Sequence, residues 1–270
     1  MTRSCTYLLS GAALSALLAL LTPGCMGTSG GETIDFVAVA SGPADAVKGQ
    51  PLVFDTSRGW HVTLDTARMH IGAVYLADSE AVSGAQATSC LLPGTYVAQV
   101  TQGGDFDLLS SEAQRFPVLG RGTTVESRSG QVWLTGGDID DVNAPSKATV
   151  VLRLSGSAVL GADVRPFDAS VTIASNRVSS SSGAAGAAPI CKQRIVSPIP
   201  TSVAVEDHGA LWLRVDPRRL FTNVDFSALA SDGDHYVFQD DSSDQPSANL
   251  YANLRQTGDL YTFSWVPSVE

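Results

Sequence analysis

From residue 33 onward, much of the chain alternates apolar with polar positions, the period of a strand with one buried face. Thr33 to Val39 (TIDFVAV) reads as a first strand. From Trp60 to Leu64 the apolar series is Trp60, Val62 and Leu64. From Ala67 it becomes Ala67, Met69, Ile71, Ala73 and Tyr75. Even positions give way to odd ones across Asp65-Thr66. An unbroken flat strand would turn its core face to solvent there. The parity change therefore predicts a bulge or tight turn at Asp65-Thr66.

Further strands are expected at Thr95 to Thr101, Gln131 to Thr135, Ala148 to Leu154 and Pro166 to Ile173. More follow at Ser202 to Val205, Ala210 to Val215 and Tyr261 to Val266. Leu211, Leu213 and Val215 share one face, opposite Trp212 and Arg214. Tyr261, Phe263 and Trp265 share another. Asp216-Pro217 ends the strand before it, because proline has no N–H for a ladder. Pro246 to Gln256 reads as a short helix, with proline early and Gly258 as its stop. Short strands separated by turn signals predict an all-β fold, an antiparallel β-sandwich with one short helix near the C-terminus. Residues 174–188 (ASNRVSSSSGAAGAA) are of low complexity and predict a loop; a linker between two domains is the alternative.

The first 25 residues break this pattern. Arg3 precedes an uncharged run from Tyr7 to Leu21, shorter than the roughly 20 residues of a bilayer span and suited to an export leader. The run leads to Thr22-Pro23-Gly24-Cys25. Gly24-Cys25 at that place resembles the lipobox of bacterial lipoproteins, with Leu21 one position early and Thr22-Pro23 departing from the pattern. The resemblance implies removal of residues 1–24 and lipid attachment at Cys25. Two or more acyl chains would hold the chain on a membrane, at about 0.8 kcal/mol per buried methylene. Ordinary cleavage and free secretion is the alternative. Residues 25–32 then form a tether, and 33–270 a single β-sandwich domain.

Composition fits an exported body. Seventeen basic against 27 acidic residues give a net charge of −10, and the only lysines are Lys48, Lys147 and Lys192. That balance is a poor match to nucleic acid, which needs clustered cations. Of four cysteines, Cys5 lies in the leader and Cys25 at the anchor. Cys90 and Cys191 remain, an even pair that predicts a disulfide in an oxidising compartment, with two buried thiols as the alternative.

Chemistry-bearing patterns are few. The chain holds no GxSxG, P-loop, HExxH or dinucleotide fingerprint, and an enzyme is not expected. His61, Met69 and His70 would supply imidazole and thioether ligands suited to copper, or sit on a plain sheet face. His208, in Glu206-Asp207-His208-Gly209, reads as a turn residue. Asp138, Asp140 and Asp141, and the run from Asp232 through Asp234, Asp240 and Asp241 to Asp244, would offer calcium oxygens or simply be solvated loops. Trp60, Trp133, Trp212 and Trp265 would stack a sugar or, for at least three of them, fill the core.

GWHVTLDTARMHIGAVYL, QVWLTGGDID, ICKQRIVSPIP, LWLRVDPRRLF with VDF, and YTFSWVP resemble segments of uncharacterised bacterial cell-envelope lipoproteins. The Trp60–Tyr75 stretch and VDPRRLF with VDF also resemble MbnP-like periplasmic copper-associated β-proteins, which implies copper without assigning ligands. The expectation is thus a membrane-anchored envelope lipoprotein, on the outer or inner membrane and facing periplasm or exterior. It would bind an envelope protein or small ligand without catalysis; copper binding is the alternative.

Overall fold

The computed structural model describes residues 32–81, 95–135, 150–173, 194–256 and 258–267. The leader, Cys25, Cys90, Cys191, Asp138 to Asp141 and the 174–188 segment lie outside the described residues.

The larger of two sheets has the order β12 (Arg194–Pro200), β9 (Ser129–Thr135), β4 (Ala73–Ala77), β5 (Tyr96–Val100), β8 (Gly120–Thr123), β1 (Thr33–Ser41), β13 (Gly209–Val215) and β16 (Tyr261–Pro267), with β7 (Gln114–Arg115) also on β1. The smaller runs β14 (Ala230–Asp232), β15 (His235–Phe238), β11 (Asp163–Thr172), β10 (Val150–Leu160), β3 (His61–Ile71) and β2 (Leu52–Asp55), with β6 (Gly104–Asp107) also on β3. The fold is all-β, and among the described residues it has one α-helix, α1 (Gln245–Leu254), near the C-terminus. Pairing is mainly antiparallel, but β1 with β13 and β11 with β15 run parallel. Alternation specifies which face is buried, not the direction of the neighbour, so the sequence carried no sign of these two pairs.

The parity change is a bulge. Along β10, Ser155 pairs with Thr66 and the next residue, Gly156, pairs with Leu64, so Asp65 has no opposite number. One extra residue restores the core face: Val62 and Leu64 are buried before it, and Ala67, Met69 and Ile71 after it. β3 thus remains one strand, where two were a possible reading. At Gly72 the chain passes from the smaller sheet to the larger. A Cβ there would lie 2.0 Å from Thr135 Oγ1, so only glycine allows the approach at this corner.

The larger sheet curls until its ends meet. β9 and β16 stand far apart in strand order, yet the Phe263 ring covers Gly130 so closely that a Cβ would sit 2.2 Å from it. Ser197 on β12 donates to the Leu254 carbonyl at 2.8 Å, tying the end of α1 to that edge. The result is a nearly closed, barrel-like sheet. One apolar cluster takes residues from both sheets, and within it Trp60, Phe167, Phe221, Phe226 and Phe238 gather where the smaller sheet meets the 3₁₀ turns at Pro217–Phe221 and Phe226–Ala228. Their rings meet at centroid separations of 5.2–6.2 Å, mostly tilted or edge-on, as ring quadrupoles favour.

Ser202 to Val205, expected as a strand, is not one. Val203 instead exchanges backbone and hydroxyl bonds with the single distant residue Ser127, while Val203 and Val205 are buried. After β13, Asp216 accepts the Arg218 N–H and caps a 3₁₀ turn over Pro217–Phe221.

Candidate functional site

His61, Met69 and His70 all sit on β3, and the bulge decides which way each points. Both histidines fall on the outer face. His61 Nδ1 is 2.8 Å from Asp55 Oδ1 on β2, and His70 Nδ1 is 2.8 Å from Asp105 Oδ1 on β6. Nine residues at about 3.3 Å each put them on the order of 30 Å apart. Met69 points the other way: it is 1% exposed, and its sulfur lies 3.9 Å from the Tyr261 hydroxyl. The three side chains therefore do not converge. Among the described residues, no group of three or more His, Cys, Asp or Glu side chains is placed to hold a metal ion.

The acidic run is spent on local structure. Asp240 accepts both the backbone N–H (2.7 Å) and hydroxyl (2.6 Å) of Thr172, pinning the end of β11. Asp241 accepts from Ser243 N–H, and Asp244 caps α1 through Ser247 N–H at 2.7 Å. Asp232 and Asp234 flank the β14–β15 turn at Gly233, whose φ is +63°. His208 also occupies a turn, with φ +60°.

Of the tryptophans, Trp60 is in the main core, and Trp133 is buried beside Tyr75 with ring centroids 4.5 Å apart. Trp265 packs its ring on Phe36 (5.8 Å) and over Gly209. Trp212 is half-buried and donates Nε1–H to Ser41 Oγ at 2.8 Å. No shared sugar-stacking platform forms from these four.

The VDPRRLF stretch builds a clamp. Arg218 binds Asp216 through Nε (2.7 Å) and Nη2 (2.9 Å), and Asp45 through Nη1 (2.8 Å) and Nη2 (3.2 Å). These bonds hold the Asp45 carboxyl below its ordinary range and the guanidinium firmly charged. With both carboxylates taken, Arg218 serves to join the segment after β1 to the 3₁₀ turn.

The bulge has a second consequence, absent from the sequence reading. Asp65, Thr66 and Arg68 line an open cleft of about 310 Å³ on the outer side of the smaller sheet, against Gly49, Gln50, Pro51 and Asp107. Arg68 stands in register with Arg153 on β10. Beyond them lie Asp107 on β6 and Ser170 on β11. Asp107 turns its carboxylate to the Leu109 N–H at 2.9 Å and makes no ion pair with Arg68. A second cleft, of about 430 Å³, opens on the larger sheet among Asp35, Gln99, Thr101, Gln102, Leu119 and Arg121, where Arg121 is bonded to Asp35 at 2.9 Å.

No protein-family model matches this chain, and no curated protein matches it in sequence. Among solved structures the chain is similar to MbnP from Methylosinus trichosporium, at 13% identity and a TM-score of 0.41, over 87% of this chain and 99% of that one. At that distance the likeness bears on neither ligand nor activity.

Proposed function

We propose that the chain is a lipid-anchored protein of the bacterial cell envelope with a non-catalytic binding role, its body held outside the cytoplasm by Cys25. The run from Tyr7 to Leu21 ending at Gly24-Cys25 supports the anchor. The observation that carries the binding role is the cleft at the β3 bulge. A solvent-facing strand surface that served only to cover the core would need no extra residue and no recess. Here the bulge opens one, lined by a carboxylate, a hydroxyl and a guanidinium. Bulges re-aim side chains in this way beside binding sites.

Cell fractionation tests the anchor. The wild-type chain should pellet with membranes, and Cys25→Ala should run at its precursor or unacylated mobility and leave the membrane fraction when released. A Cys25→Ala chain that pellets with unchanged mature mobility contradicts it.

Copper binding is the second reading. One feature favours it: His61 and His70 each turn Nδ1 to an aspartate, the arrangement that orients a metal-binding imidazole through its other nitrogen. Metal analysis of protein purified after copper exposure decides it, with a stoichiometry near zero ending the reading.

A further inference from the structure

We infer that the Arg68–Arg153 pair on the outer face of the smaller sheet is a binding site for a singly charged phosphate group. The inference deepens the binding role proposed above by naming its ligand class, and it does not depend on the anchor.

The two arginines are directly opposed on adjacent antiparallel strands. Directly opposite residues have Cβ atoms about 4.5–5.5 Å apart, and like charges at that spacing repel. Both side chains are exposed, and among the described residues neither makes an ion pair, although Asp107 stands opposite Arg68 on β6. Arg58, Arg121, Arg128, Arg165, Arg218 and Arg219 each have an acidic partner. Arg115 and Arg214 share the lack of one, but neither stands opposite a second arginine. In a chain of net charge −10, acidic residues are abundant. Three acidic neighbours of the pair are engaged elsewhere, while Asp65, exposed at the bulge, lines the cleft without an ion pair to Arg68. Asp107 caps Leu109, Asp105 is on His70, and Asp168 is 3.4 Å from His235.

Two guanidinium forks side by side match the oxygens of a phosphate, which can take N–H donors from both. A bound anion would also relieve the repulsion that the bare pair carries. The cleft limits the charge of the guest. Asp65 and Asp107 line it together with Arg68, so every added negative charge on a guest is repelled by two carboxylates, and a monoanionic phosphate group is repelled least. Ser170, across β11 from Arg153, and Thr66 add hydroxyls on the same face.

Free phosphate and a lipid headgroup share this chemistry, and binding measurements separate them. The full-length protein in uncharged detergent would be titrated at about pH 6, where inorganic phosphate is mostly the monoanion, with inorganic phosphate, and separately with micelles of short-chain phosphatidylglycerol or phosphatidylcholine. Arg68→Ser, Arg153→Ser and Arg115→Ser would be compared with wild type. Arg115 is a solvent-facing arginine on β7 with no second arginine opposite it, and it serves as control. Wild type and Arg115→Ser should bind with one affinity, and the other two variants at least tenfold more weakly. Each of those two, without ligand, should melt no lower than wild type, which shows that it folds. Saturable binding of phosphate with that variant pattern supports the site and a free anion. The same pattern with phospholipid micelles alone supports it and a headgroup. Equal affinity in all four proteins, or no binding to any probe, overturns it.

Discussion

The Tyr261 hydroxyl lies 3.3 Å from the Leu254 carbonyl and 3.9 Å from the Met69 sulfur, so one phenol joins the last strand, the end of the helix and the C-terminal end of β3. Tyr261 and Met69 are each 1% exposed. Tyr261→Phe removes one of two donors to the buried Leu254 carbonyl, Ser197 remaining, and should cost about 0.5–1.5 kcal/mol. Met69→Ala should cost about 2–5 kcal/mol by leaving a cavity among packed strands. Urea denaturation of both variants checks this. A Met69→Ala protein as stable as wild type would mean that Met69 is not a core residue.

Alkaline stability depends on Tyr251 and Tyr261. Burial pushes the Tyr251 phenol up to about 12 and raises that of Tyr261 further. Unfolded tyrosines ionise near pH 10. Above that pH the unfolded chain releases protons that the native one keeps, so stability is full below pH 10 and falls as pH rises toward 12 and beyond. Denaturation midpoints between pH 8 and 12 should fall in wild type and fall less steeply in Tyr251→Phe.

The bulge should tolerate the loss of its extra residue. Asp65→Ala leaves the backbone register intact and should alter stability by less than about 0.5 kcal/mol. Deleting Asp65 makes Leu64 and Thr66 neighbours, as their partners Gly156 and Ser155 already are, so Ala67, Met69 and Ile71 stay on the core face and Arg68 and His70 on the outer one. The deletion variant should therefore still unfold in one cooperative transition. A deletion variant with no cooperative transition would contradict the register described here.

Closure of the larger sheet rests on Phe263 over Gly130. A methyl group at residue 130 would collide with the ring, and Gly130→Ala should cost about 1–3 kcal/mol. Adding Phe263→Leu to Gly130→Ala should recover part of that loss. Thermal unfolding of the single and double variants measures it; strict additivity would mean that the two residues do not touch.

Much of this architecture was legible in the chain. The parity change at Asp65-Thr66 located a bulge, because period-two alternation ties face to register. The buried sets Phe167, Ala169, Val171, Ile173 and Leu211, Leu213, Val215 stood where alternation put them. The helix was legible from Pro246 and its flanks. β2, β6, β8 and β15 were not: at four residues each they offer only two per face, too few for a period to show. β8 (GRGT) has almost no apolar side chain to reveal it. Parallel pairing and closure of the sheet depend on which distant strands meet, and local alternation does not encode that. The site followed the same rule. The sequence showed His61, Met69 and His70 close along the chain. The bulge sends the sulfur inward and leaves the imidazoles outward at opposite ends of one strand. Arg68 and Arg153 are 85 positions apart, and only the β3–β10 register brings them together.

The intact mass of the protein extracted from bacterial membranes tests the central claim most directly. The account requires a chain that begins at Cys25 and carries two or more acyl groups at that residue. A chain that still begins at Met1, or a mature chain of unmodified mass, would contradict it.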